Sequence, residues 1–84
     1  MTKYYALKYE EPNNKEAGFL IVDGKGERIS DNYPNLDDAI VDAESKGATS
    51  DKIIYNTPKT VIKRISEENN IPVEFFHKVK KPKD

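Results

Sequence analysis

Cysteine and tryptophan are absent from this 84-residue chain, and methionine and histidine occur once each. Without cysteine there is no disulfide framework and no thiolate zinc site. Long apolar runs are missing as well, so no segment reads as a membrane span. The opening "MTKYYALKYE" alternates charge with aromatics rather than building the apolar core of a signal peptide. The expectation is a cytoplasmic protein without membrane contact. Nor does one sign of charge prevail. Fourteen Lys and Arg stand against fifteen Asp and Glu, a net charge of −1, which gives no global field for nucleic acid or an anionic membrane. What is present is 36% apolar residues, with five tyrosines and three phenylalanines, enough for a packed core and too much for a disordered chain. A chain of this length has material for one core only.

The organisation follows from hydrophobic periodicity and turn chemistry. "KYYALKYE" puts Tyr5, Leu7 and Tyr9 on one face of a strand and Tyr4, Ala6 and Lys8 on the other. "EEPNNKE" is a loop. "FLIV" and "ERIS" read as the arms of a hairpin, with Asp23-Gly24 and Gly26 supplying the positive φ angles of the turn. The period then changes. Leu36, Ala39, Ile40 and Ala43 are spaced for one helical face, Asn35 is a cap, the acids lie early, and Gly47 closes the far end. "KIIY" is a short apolar strand suited to a central place. Thr57 precedes Pro58 as a cap before proline at a first helical position, and Val61, Ile62 and Ile65 form the second helix's buried stripe. "VEFFHKV" reads as a last strand. Strand-helix-strand connections call for parallel pairing and the hairpin for antiparallel. The expected fold is therefore a mixed α+β (α/β) domain over residues 1–79, with a five-stranded mixed sheet in β-β-β-α-β-α-β order. The segment at Ile53 to Tyr55 should pair parallel with that at Tyr4 to Tyr9. Residues 80–84 read as a basic flexible tail.

Taken in order, "NKEAGFLIVDGKGERI", "NLDDAIVDAE", "IIYNTPKTVIKRI" and "VEFFHKV" resemble the second and third strands, first helix, strand-to-helix element and fifth strand of the ribonuclease H-like superfamily. The resemblance covers nearly the whole chain. It implies an ancestry in metal-assisted phosphodiester hydrolysis, in which clustered carboxylates hold two Mg²⁺ ions. The acids that chemistry needs do not stand at the matched positions. Asn35 falls where the family's helix carries glutamate, and Asn56 where its strand end carries aspartate. The first-strand position falls near Leu7 to Tyr9 with Glu10 the nearest acid, and the remaining acid belongs to a C-terminal segment beyond Asp84. The resemblance thus implies a C-terminally truncated pseudoenzyme with no catalytic residues, metal or cofactor. An amide nearly isosteric with the lost carboxylate keeps hydrogen bonds while abandoning the metal; equally, Asn35 serves as a helix cap and Asn56 as a turn residue.

Two functional classes follow. The first is a non-catalytic protein-binding module, an inhibitor or accessory protein of the kind a mobile genetic element carries. Its partner would meet the sheet edge, the acids Asp37, Asp38, Asp42 and Glu44 of the first helix, or exposed aromatics such as Tyr4. The second is a weak binder of RNA-containing duplex or other nucleic acid. Lys59, Lys63 and Arg64 on the second helix and Lys78, Lys80, Lys81 and Lys83 at the chain's end would contact phosphates. A metal-dependent nuclease is a distant third. His77, the single histidine, has no nucleophile arranged with it, and "DGKGE" is explained by a hairpin turn.

Overall fold

Tyr4–Tyr9 forms strand β1, and every other strand of the sheet pairs with it. The computed structural model describes residues 3–12 and 17–81. Strand β2 (Gly18–Asp23) lies antiparallel along one edge of β1 over its full length, with Tyr4 opposite Asp23 and Tyr9 opposite Gly18. The other edge is shared. Strand β3 (Ile53–Ile54) runs parallel to the first part of β1, with Tyr4 opposite Ile53, and β4 (Phe76–Lys78) runs antiparallel to its last part, with Tyr9 opposite Phe76. The expected parallel pairing of the Ile53 segment with the first strand is present.

The alternation read from the sequence decides the two faces. Tyr5, Leu7 and Tyr9 join Leu20 and Val22 in a core closed by helix α2 (Lys59–Asn69) through Ile62 and Ile65. Ala6 and Ile21 join Ile53 and Val79 on the opposite face, closed by helix α1 (Leu36–Ser45) through Ala39 and Ala43. The mixed sheet is therefore sandwiched between two helices. No described helix is long and apolar enough to cross a membrane.

Helix α1 begins and ends as its residues dictate. Asn35 Oδ1 accepts from the Asp38 amide at 2.9 Å, and Asp37 and Asp38 occupy the positive end of the dipole. At the other end the Ala48 amide returns to Ala43 O at 3.0 Å and the Gly47 amide to Glu44 O at 3.1 Å, closing a Schellman motif. Helix α2 starts differently from the expectation. Pro58 itself is the cap position, with no side-chain hydrogen bond, and Thr57 is fully buried with its hydroxyl donating to Ala6 O at 3.3 Å. Thr57 pins the helix entry to β1 and is not available as a cap.

Three further differences have local causes. The hairpin turn needs a positive φ only at Gly26 (92°), and Gly24 does not adopt one. The Asp23 carboxylate organises that turn by accepting from the Lys25 and Glu27 amides at 2.8 and 2.9 Å. The hairpin's second arm follows β2 through isolated bridges at Arg28 and Tyr33 and is not a continuous strand. Ile29 and Ser30 both donate to Ile21 O, at 2.8 and 3.2 Å, and the Ser30 hydroxyl takes the Ile21 amide at 2.8 Å. Two residues opposite one make a bulge. Among the described residues the sheet therefore has four strands where five were expected.

The last strand is shorter than expected and runs the other way. Val73–Phe75 is a 3₁₀ turn after Pro72, and only Phe76–Lys78 is extended. The cause lies at Asn56. Its left-handed φ of 54° turns the chain out of β3 after two residues, leaving the far half of that edge of β1 with unsatisfied backbone groups. Strand β4 enters from the opposite end and satisfies them. The two short strands meet where the Asn56 amide donates to Val79 O at 2.9 Å.

Candidate functional site

Because β4 is an edge strand lying beside α2, a trough opens between them. The floor is apolar and built from Ile62 of α2, Phe76 of β4 and Val73 of the intervening turn; Val73 is 45% exposed. Lys59 and Lys63 rise from one turn of α2 to the next on one bank, and Lys78 stands on the other. The groove has a volume of about 610 Å³, and no acid among the described residues lines it. Its position follows from the helix pattern, since Ile62 and Ile65 point into the sheet while Lys59 and Lys63 lie on the flank facing β4.

Backbone groups contribute to the same bank. The Glu10 amide donates to Phe75 O at 2.9 Å, in register with Tyr9 opposite Phe76. The alternation of an antiparallel ladder then directs the main-chain groups of His77 toward Lys8 and those of Phe76 and Lys78 outward. The Phe76 amide bonds Val73 O, closing the 3₁₀ turn. Phe76 O and the amide and carbonyl of Lys78 remain on an edge that pairs with no described strand.

The cations named from the sequence are only partly brought together. Lys59, Lys63 and Lys78 converge on the groove. Arg64 turns to the hairpin side, with Nη1 donating to Gly24 O at 3.5 Å in a separate cleft beside Lys3, Asp23 and Lys25. Lys80 and Lys81 are exposed beyond β4, and Lys83 lies outside the described residues.

The acids lie on the opposite face of the sheet, and part of their charge is already used by the fold. Asp38 accepts from Asn35 Nδ2 at 3.0 Å. Asp42 accepts from the Asp31 amide at 3.0 Å and pairs with Lys46 at 3.2 Å. The Asp31 amide, the Tyr33 hydroxyl and Lys46 hold the Asp42 carboxyl below its ordinary range against the opposing effect of desolvation. The same contact with Asp42, followed by burial, raises Tyr33. Asp37 and Glu44 are exposed, while Tyr4 is half-buried against the α1-side core and offers little free surface. Burial, and after it the charge of Asp37, raises the Tyr55 hydroxyl, which sets the start of α1 near the end of β3.

Asn35 and Asn56 both have structural work. Asn35 donates to and accepts from Asp38, a reciprocal pair that a carboxylate would not make, and Asn56 holds the left-handed turn that ends β3. Glu10 pairs with Lys8 at 2.8 Å, and that contact lowers its carboxyl. Among the described residues no group of three His, Asp or Glu side chains is placed to hold a metal ion. No protein-family model, curated protein or solved structure matches the chain.

Sequence reasoning had named the groove's lysines but not its apolar floor. The signal was Val73, a large apolar residue directly after the helix-stopping Pro72, where the chain turns before the strand begins.

Proposed function

We propose that the chain is a non-catalytic protein-binding module, an inhibitor or accessory protein built on a degenerate ribonuclease H-like plan. The observation that carries it is the open apolar groove beside the unpaired edge of β4, banked by Lys59, Lys63 and Lys78. An exposed strand edge next to an apolar trough is a template for another chain and a liability unless used or covered. The family likeness draws support from the order of elements and from β3 lying parallel to β1 after the α1 connection. The antiparallel β4 departs from it. In this reading Asn35 and Asn56 kept the hydrogen-bonding roles of their positions after the metal chemistry was given up.

The three groove lysines also favour a second reading, contact with the phosphates of an RNA-containing duplex. Titration of the full chain with labelled RNA duplex, RNA-DNA hybrid and single strand at two salt concentrations separates the two, with Mg²⁺ or Mn²⁺ cleavage followed in parallel. The protein-binding reading expects no cleavage and a dissociation constant no tighter than about 10⁻⁵ M near physiological salt. Submicromolar binding that survives the higher salt establishes the nucleic-acid reading instead. Metal-dependent cleavage abolished by Glu10→Ala or Asp37→Ala would overturn both.

A further inference from the structure

We infer that the groove between α2 and β4 receives an acidic, aliphatic-rich peptide segment in extended conformation, added as a strand to the outer edge of β4. This rests on the protein-binding reading and specifies the partner's chemistry.

Three independent features converge on that occupant. The edge of β4 offers an acceptor at Phe76 O and a donor and an acceptor at Lys78, the spacing a single added strand reads. The floor beneath that edge is apolar and open at Val73, which is 45% exposed, so the added strand can bury an apolar side chain there. Lys59, Lys63 and Lys78 bank the groove with no acid among its described lining residues, which favours acidic side chains at the neighbouring positions. Phe76 is only 6% exposed and so presents no open ring face on which a base would stack. The groove therefore fits a peptide better than a single-stranded nucleic acid.

The cations stand where the fold itself disfavours them. Helix α2 has no acid in its first turn; Lys59 opens its positive end, Lys63 follows one turn on, and Glu67 and Glu68 lie toward its negative end. A charge order opposed to the dipole costs stability. Attraction for an anionic partner is a reason to keep it.

The test is selection of a randomised heptapeptide display library on the full-length chain, followed by titration of the enriched peptides into labelled protein. The expected result is enrichment of alternating aliphatic and acidic residues. Binding should weaken about tenfold or more in the Lys59→Glu, Lys63→Glu double variant. The exposed Val73→Glu serves as a second variant, with the amide spectrum of each confirming its fold. The decisive readout is the Lys78 amide, which should exchange rapidly with solvent in the free protein and become protected in the complex. Asp51→Lys, at an exposed residue outside the groove, should leave affinity unchanged. Enriched peptides that bind the groove variants equally well and leave Lys78 exchanging overturn this inference while leaving a protein-binding function standing. Enrichment of basic peptides, or no enrichment, also overturns it. If labelled RNA then binds below micromolar, the protein-binding reading falls with it.

Discussion

The two helices cover the same sheet from opposite sides, yet they are built to different rules. Helix α1 meets its face through Ala39 and Ala43, small residues that bring it close, and its ends follow local chemistry: Asn35 caps, Asp37 and Asp38 complement the dipole, Gly47 and Ala48 close the last turn. Helix α2 meets its face through Ile62 and Ile65, has no side-chain cap, and carries its charges against the dipole. The first helix follows local chemistry at its start, where the second does not. Sequences that break local rules without a gain in packing do so most often where a surface has another use. The groove lies beside the helix that breaks them.

Ile65 is fully buried between α2 and the sheet, so Ile65→Ala should cost about 2–5 kcal/mol in denaturant unfolding. A loss below about 1 kcal/mol would mean that α2 is docked too loosely to shape a groove. Next, Lys59 is the first residue of α2, and Lys59→Glu should raise stability by about 0.3–1 kcal/mol by restoring the favoured dipole charge. The same substitution should weaken the groove's partner. Destabilisation by Lys59→Glu would remove the contrast between the helices.

The smallest effect concerns acid. Asp42 has its folded-state pKa below the ordinary 3.8, chiefly because the Asp31 amide bonds the carboxylate. Its contribution is fully present above about pH 4 and is lost as the pH falls through the folded value. The Asp42→Asn variant should therefore be less stable at neutral pH and should converge with the parent chain in acid. A stability gap unchanged from pH 7 to pH 2 would show that the carboxylate's charge does not help to fasten residues 31–33 to α1.

Local signals were legible wherever short-range chemistry decides the outcome. The cap at Asn35, the stop at Gly47, the turn after Asp23 and the two faces of β1 were all readable because each depends on residues within a few positions. The direction of β4 was not. The β-branched and aromatic content of "VEFFHKV" marks an extended segment but carries no sign, and pairing was decided by space left on β1 when Asn56 cut β3 short. Length was misjudged at the same point, since Pro72 begins a 3₁₀ turn that takes up Val73–Phe75. The hairpin's second arm failed as a strand through a serine hydroxyl competing for a backbone amide, a substitution that strand propensity does not register. Three of the groove's lysines were visible as charge, but their convergence depended on β4 lying antiparallel beside α2.

That arrangement of strands also governs how the protein comes into being during synthesis. Strand β1, with which the other described strands pair, is made before them, and its last partner is encoded some seventy residues later, at Phe76 to Lys78. Until then β1 and β2 form a two-stranded ribbon whose remaining edge is only partly filled by β3, and such ribbons are marginal alone. The nascent chain therefore carries an open edge throughout the synthesis of the residues between β1 and β4, at ordinary rates of about 5–20 residues per second a matter of seconds. Closure comes once Phe76 to Lys78 has emerged, when the segment that forms the groove's outer bank also completes the sheet.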